Sequence, residues 1–236
     1  MSSQSTFSGF SSDQESAYLS RAKVVNRIRL GVAFLIFAAA VAIVGCEAVP
    51  LHHYKETSSF EKYWLVLWPL NLDLRQTNAL LACGAVIAFQ ALIYIIAAIL
   101  PSPHSKTRLL TFLSAAVALA GLITSVTGVV FAIYMPPSRY PNGFTNYETI
   151  HSWTCRWKSL KGMNVTDNGQ SLSAPASFSR DCMETRAGLI LLGLLISLEV
   201  IMGAAAAAGW FLERGVDRKR REDFELQKAT ITVKGP

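Results

Sequence analysis

Long apolar runs alternate with short polar segments along the chain. Four runs contain at most one charged residue: 30–46, 76–103, 109–138 and 187–212. Neither 79–100 nor 109–134 shows the polar stripe that marks a surface helix of a soluble bundle. A helix needs about 20 apolar residues to cross a hydrocarbon core of about 30 Å, and it satisfies its own backbone while doing so. The pattern therefore predicts four transmembrane helices.

These runs divide the chain into predicted domains. The fold expected from them is an all-α membrane protein, a four-transmembrane-helix bundle over residues 30–212. The spans are placed at about 30–49, 77–100, 109–134 and 187–212. Outer loops are predicted at 50–76 and 135–186, a disordered tail at 1–29 and a basic tail at 213–236.

Lys and Arg are distributed unevenly between the two predicted sides. The tails and the 101–108 loop carry 13 in 61 residues, and the segments 47–76 and 135–186 carry 9 in 82. The positive-inside rule then places both termini in the cytoplasm of a multi-pass protein of the plasma membrane or secretory pathway. The chain is 16% charged, against about 25% in soluble domains, and its net charge of +6 follows from this topology. We expect the lipid bilayer, and no nucleic acid, as its partner, since no motif that reads DNA or RNA occurs.

The 135–186 loop holds two of the four cysteines. Cys155 and Cys182 lie on the predicted oxidising side, so we expect a disulfide that closes a loop of about 27 residues, worth roughly 3 kcal/mol. Between them, Asn164 begins an Asn-Val-Thr sequon and predicts a glycoprotein. Cys46 and Cys83 lie near the ends of spans, where they are small packing residues or a second bridge.

Aromatic residues concentrate in the outer loops. Phe60, Trp64 and Trp68 repeat every four residues, which predicts a short interfacial helix. Apolar and polar residues alternate over 70–75 and 151–158, which is typical of strands. We therefore predict a small disulfide-bonded extracellular cap with short strands. The alternative is an aromatic belt that anchors the spans at the lipid headgroups.

Glu199 lies close to the centre of the fourth span. A charged carboxylate is costly there, so we expect it to be protonated, paired or turned to the bundle interior. Gln90, Thr124, Ser125 and Thr127 are equally central in their spans and predict an intramembrane polar layer. In that layer a neutral Glu199 would bond to Gln90 or a hydroxyl. A cation or proton pathway and a contact with a partner's helix are the alternatives.

Small and basic residues mark two further surfaces. Small residues recur every four positions in the spans, most densely over 204–208, which predicts close packing within the bundle and with another protomer. A basic cluster follows the fourth span: Arg218, Lys219, Arg220 and Arg221. It either anchors the helix or binds anionic lipid headgroups.

No sequence motif points to catalysis. The outer-loop residues His52, His53, Glu56 and His151 lack a metal-binding spacing such as His-Glu-x-x-His. We therefore expect no enzyme, no metal and no cofactor.

The layout resembles tetraspanin-like and MARVEL-like membrane organisers in topology alone. Those proteins also have four spans and both termini in the cytoplasm. This chain is similar to tetraspanins in having a polar residue within the fourth span. The second outer loop has no Cys-Cys-Gly sequence, and the first has no cysteine pair after Trp68. The resemblance implies a non-catalytic organiser or scaffold that acts through lateral assembly, with partners or as a homo-oligomer, and through its outer loops. The alternative function is a channel or transporter subunit with Glu199 in its path.

Overall fold

Four long helices dominate the computed structural model. It describes residues 6–58, 68–69, 72–100, 106–134, 148–158, 165–167, 170–172 and 177–233. The elements are α1 (Thr6–Ser58), α2 (Arg75–Ile99), α3 (Lys106–Tyr134), α4 (Ile150–Trp157), β1 (Val165–Asp167), β2 (Gln170–Leu172) and α5 (Ser177–Val233). Helices α1, α2, α3 and α5 each contain a segment long and apolar enough to cross a membrane. The prediction of four such helices is confirmed.

The two outermost helices continue beyond the predicted spans. Helix α1 already begins at Thr6, inside the stretch 1–29 for which a disordered tail is predicted. Helix α5 continues to Val233, through most of the predicted tail 213–236. Extending a helix that a span has already nucleated costs little. The charges that mark a membrane boundary therefore do not mark the end of a helix.

The long helices pack as a ring in which α1 and α3 each contact both α2 and α5. Arg29 contacts Ala205 near one end of the α1–α5 pair, and Glu47 lies beside Gly188 near the other, so these helices are antiparallel. We call the end that carries the N-terminus of α1 and the C-terminus of α5 the termini end. The opposite end, on which α4 lies, is the α4 end.

The bundle core is apolar and tightly packed. Ile36, Ile87, Leu192 and Leu195 are buried at its centre. Helices α1 and α2 approach closely at Gly84, where an added Cβ would lie 3.2 Å from the Ala40 carbonyl oxygen. Dispersion contacts between close backbones stabilise helix pairs in lipid, where the hydrophobic effect does not drive them together.

A second, smaller core lies at the α4 end. Trp68, Leu72, Ile150 and Phe178 are buried together there, and a disulfide joins Cys155 of α4 to Cys182 of α5, the pair that the sequence predicts. The Trp68 ring stacks edge-on against Tyr54 of α1. Aromatic packing and the disulfide thus join α1, α4 and α5 at the α4 end of the bundle.

The prediction of a strand over 151–158 is wrong, because this segment forms α4. Thr149 caps the helix through a reciprocal capping box with Ser152. The buried residues Ile150 and Thr154 stand four apart, which is a helical spacing, whereas Trp153, Cys155 and Trp157 of the alternating apolar set are only partly buried. Eight residues are too few to distinguish the period of a strand from that of a helix, and the capping box favoured the helix.

The strands occur elsewhere than predicted. β1 and β2 pair antiparallel, with Val165 opposite Leu172. Within 72–75, where alternation predicts a strand, the described residues form an isolated parallel bridge between Asp73 and Thr149, and Arg75 already begins α2. Most of the predicted interfacial helix, from Phe60 to Trp64, lies outside the described residues.

Candidate functional site

Glu199 lies in the interior of the four-helix bundle. It is 1% exposed, and its carboxylate rests directly on Gly121 of α3, where an added Cβ would overlap it. Neither carboxylate oxygen has a hydrogen-bond partner among the described residues. An ionised carboxylate in this position would be uncompensated in a medium of low dielectric, which is costly. The arrangement is therefore suited to a protonated side chain.

The other residues of the predicted polar layer do not bond to Glu199. The hydroxyls of Thr124, Ser125 and Thr127 each donate to a carbonyl oxygen one turn earlier in α3, at 2.8 to 2.9 Å. Thr127 is exposed on the outside of the bundle, and the buried side-chain oxygen of Gln90 has no partner in the described part of the chain. Backbone carbonyls of the same helix satisfy these hydroxyls locally. The expected hydrogen bond to Glu199 is therefore not formed.

Arg29, taken from the sequence as the last residue of the tail, is buried near the termini end. It is 4% exposed, and its guanidinium rests on Gly209 of α5. Its Nη2 donates to the carbonyl oxygens of Ala205 at 2.9 Å and Ala206 at 3.2 Å. Its Nη1 donates to Thr111 of α3 at 3.1 Å. Arg29 thereby joins three helices.

Glu47, the charge that ends the first apolar run in the sequence, is also buried. It is 1% exposed, and Oε1 has no partner among the described residues. A Cβ added at Gly188 of α5 would lie 2.8 Å from that oxygen. Arg29 and Glu47 are 18 residues apart, which is five helical turns and about 27 Å. They therefore share one face of α1, and the spacing of 18 residues is the signal that could have identified them.

The histidines of the α4 end make separate contacts and form no shared site. His52 pairs with Glu56 at 3.2 Å on the exposed surface of α1. His53 Nδ1 lies 2.8 Å from Asp181 Oδ1 of α5. Within the described ranges, no group of three or more His, Cys, Asp or Glu is arranged to hold a metal ion.

His151 contacts α5 through Thr185, at 2.8 Å between Nδ1 and Oγ1. The Thr185 hydroxyl itself donates to the Asp181 carbonyl oxygen, so we infer that His151 Nδ1 carries the proton that is donated to Thr185. Burial lowers the pKa of His151, and nearby Arg186 and Lys158 lower it further. A neutral His151 therefore suits the contact between α4 and α5.

The remaining predicted residues are distributed over the surface of the bundle. On α5, Ala206 is buried, whereas Ala204, Ala207 and Ala208 are exposed. Cys46 and Cys83 are free and partly buried. In the basic cluster Arg218 and Arg221 are exposed, and the side chains of Lys219 and Arg220 lie outside the described part, as does Asn164.

Comparison with family models, with curated proteins and with solved structures finds no match for this chain. The four apolar helices are compatible with an integral, multi-pass membrane protein. Function must therefore be inferred from the chain's own residues.

Proposed function

We propose that this protein is a non-catalytic membrane organiser or scaffold that assembles laterally with other membrane proteins or with itself. The supporting observation is a stripe of small residues on the outer surface of α1. Gly31, Ala38, Ala42 and Gly45 are exposed and repeat at intervals of seven, four and three residues. Such residues let the backbone of a second helix approach closely in lipid.

The exposed glycines of α1 do not contribute to packing within the bundle. A Cβ added at Gly31 or Gly45 would meet nothing within 4 Å, whereas at Gly84 it would meet three atoms of α1. Exposed alanines on α5, 204, 207 and 208, extend the same surface chemistry to a second helix. The bundle thus offers two faces for lateral contact.

In this proposal the α4 end faces the lumen or the exterior, and both termini are cytoplasmic. The disulfide and the small aromatic core of Trp68, Ile150 and Phe178 support a rigid outer cap for partner contacts. A glycan on Asn164 would lie on the same side. Arg218 and Arg221 are exposed at the other end, where the proposal has them contact anionic lipid headgroups.

The proposal is tested by measuring self-association of the full chain in lipid vesicles by energy transfer between fluorophores. Replacing Ala42 and Gly45 together by leucine should lower the associated fraction several-fold, because bulky side chains keep the backbones apart. The matched control is Ile123→Leu, at an exposed position of α3 outside the stripe. It should associate like the native chain.

Two outcomes would contradict lateral assembly through α1. One is a native chain that stays monomeric and captures no partner at the density at which it occurs in cells. The other is equal association of the leucine variant and the native chain.

A channel or transporter subunit is the second candidate function. It is favoured by Glu47 and Glu199, two buried carboxylates on the bundle interior with unpaired oxygens among the described residues. Against it, they are separated along α5 by three turns, about 16 Å, in which Leu192 and Leu195 are fully buried. A dry apolar segment of this length does not relay protons or ions.

Flux through reconstituted vesicles separates the two functions. We expect the native chain and Glu199→Gln to be equally impermeable to protons, as reported by a pH-sensitive dye inside the vesicles. Glu199→Gln is nearly isosteric with the protonated residue, so the bundle should keep its fold. Proton conduction by the native chain that is lost in Glu199→Gln would establish the channel instead.

A further inference from the structure

Exposed arginines line one side of α5 where the helix continues past the bundle at the termini end. Arg214, Arg218 and Arg221 are exposed and stand at intervals of four and three residues, so they lie on the same side of the helix. We call these three residues the arginine face. From the first to the last of them the face extends about 10 Å along the helix axis. It presents a line of guanidinium groups that leads away from the membrane-spanning part of α5.

The arginine face begins next to an aromatic side chain. The guanidinium carbon of Arg214 lies 3.7 Å from the centroid of the Trp210 ring, one turn earlier in α5. Tryptophans of membrane helices concentrate at the level of the lipid headgroups, so Trp210 places the start of the face at the membrane surface. A guanidinium that rests flat on a ring still presents N–H donors at its edge, where a phosphate binds in bidentate fashion. Trp210 therefore orients Arg214 for a phosphate.

The acidic residues next to the arginine face are held by α3. Arg108 of α3 donates from Nη2 to both carboxylate oxygens of Asp217, at 2.9 and 2.7 Å. The Thr111 hydroxyl of α3 donates to Glu213 at 3.2 Å. Asp217 is the only acidic residue in the sequence between the first and the last arginine of the face. Because Arg108 balances the charge of Asp217, the face keeps its positive charge.

The length of the arginine face discriminates between anionic lipids. The headgroup region of each leaflet is about 5–8 Å thick. Arg221 stands 11 residues, about 16 Å of helix, beyond Trp210. The charged groups of a lipid such as phosphatidylserine remain within the headgroup region, where they can reach Arg214. A headgroup that carries additional phosphates extends outward from the membrane, so it can also reach Arg218 on the next turn.

We propose that the arginine face, together with Trp210, binds the headgroup of a polyphosphorylated anionic lipid, such as a phosphatidylinositol bisphosphate. Arg214 binds the phosphate that lies nearest the membrane, Arg218 binds a phosphate farther out, and Arg221 adds to the attraction. This inference rests on the proposed contact of the basic cluster with anionic headgroups, and it is independent of lateral assembly.

Energy transfer in vesicles of phosphatidylcholine tests the proposal. A donor fluorophore is placed at the C-terminus of the full chain, and the acceptor is carried by phosphatidylinositol bisphosphate or by phosphatidylserine at the same total lipid charge. In the native chain, transfer to the bisphosphate lipid should exceed transfer to phosphatidylserine several-fold. In Arg214→Gln with Arg218→Gln this excess should disappear, since each arginine contributes roughly fivefold to the binding of an anionic headgroup.

Two further variants separate the site from general attraction to positive charge. Arg21→Gln with Lys23→Gln is the matched control, because both residues are exposed on α1 at the same end and the same charge is lost outside the arginine face. It should keep the native preference. Arg214→Lys with Arg218→Lys retains the charge but lacks the bidentate geometry of the guanidinium. Its preference for the bisphosphate lipid should fall, while its attraction to phosphatidylserine persists.

Three results would overturn the proposal. They are equal transfer from the native chain to both lipids, a preference that survives in the glutamine variant of the arginine face, and an equal loss of preference in the α1 control. Self-association of the same variants is measured in parallel and should be native-like, since none of the substituted residues belongs to the stripe of small residues on α1. A failure of lipid binding is thereby distinguished from a failure of lateral assembly.

Discussion

Three buried ionisable side chains of the bundle each lie directly against a glycine of a neighbouring helix. The pairs are Arg29 on Gly209, Glu199 on Gly121 and Glu47 on Gly188. In each pair the ionisable group occupies the volume that a Cβ would need. Each of these polar groups therefore fits inside the apolar bundle only because the residue opposite it is a glycine. Substitution of the glycine should in turn displace the polar side chain.

Gly121→Ala tests this dependence. The new methyl group would overlap the Glu199 carboxylate, so we expect the free energy of unfolding to fall by about 1–3 kcal/mol, as in other overpacked cores. Unfolding titrations in mixed micelles measure the change. Gly193→Ala, where nothing lies within 4 Å, should instead raise the free energy of unfolding by about 0.5–1 kcal/mol, because alanine is the better helix former.

The same substitution in a protein that lacks the Glu199 carboxyl group separates this overlap from other causes of destabilisation. In the Glu199→Ala protein the carboxylate is gone, so Gly121→Ala should cost much less there, and the coupling energy of the double-mutant cycle should be large. Equal costs in both backgrounds would mean that the Gly121 position is constrained by something other than Glu199.

The α4–α5 pair shows how one element is fixed by contacts of different kinds. The disulfide Cys155–Cys182 joins the helices covalently, and the His151–Thr185 hydrogen bond lies one turn away on each helix. The packing of Ile150 adds an apolar contact. The pairing of α4 with α5 should therefore respond both to reductant and to acid.

Non-reducing peptide mapping tests the disulfide at the scale of these elements. A linked peptide pair containing Cys155 and Cys182 is expected from the native protein. Replacing both cysteines by serine should lower the free energy of unfolding by about 3 kcal/mol in the chain-entropy model for a loop of this size. Alkylation of both thiols in the native chain without reductant would contradict the bond.

His151 predicts an acid-sensitive contact. Because burial lowers its pKa below the ordinary value of about 6.5, the unfolded chain binds more protons than the folded one as pH falls, and stability decreases with acidification. Thermal unfolding at pH 7 and pH 5 should therefore show a larger loss for the native chain than for His151→Gln. His52→Gln, on the exposed surface of α1, is the control and should behave like the native chain.

At the scale of the whole molecule, the antiparallel pairing of α1 and α5 brings the start of one helix and the end of the other to the same end of the bundle. The unequal density of Lys and Arg predicts that this end faces the cytoplasm. The α4 end, with the disulfide, then faces an oxidising compartment, where such bonds persist.

Protease protection of epitope tags tests this orientation. Tags at both termini should be cleaved from the cytoplasmic side, and a tag inserted near residue 169 should be protected in sealed vesicles. A cytoplasmic tag at 169 would reverse the topology and, with it, the assignment of the α4 end to the exterior.

The sequence alone is enough to predict the four helices, because an apolar run of membrane-spanning length has few other ways to satisfy its backbone. It also identified Cys155 and Cys182 as the pair to be joined, since they share one loop. These conclusions depend on composition and distance along the chain, which a single sequence contains.

The positions of the polar residues, in contrast, follow from how the helices pack. Arg29 and Glu47 are the charges that end an apolar run in the sequence, yet both are buried, because α1 continues past them and keeps one face toward α5. The segment 151–158 reads as a strand, but a cap and the apolar contacts of Ile150 make it a helix. The burial and the contacts of a polar side chain depend on which neighbouring helix presents a glycine, a carbonyl or a carboxylate to it. Those neighbours are set only when the helices pack.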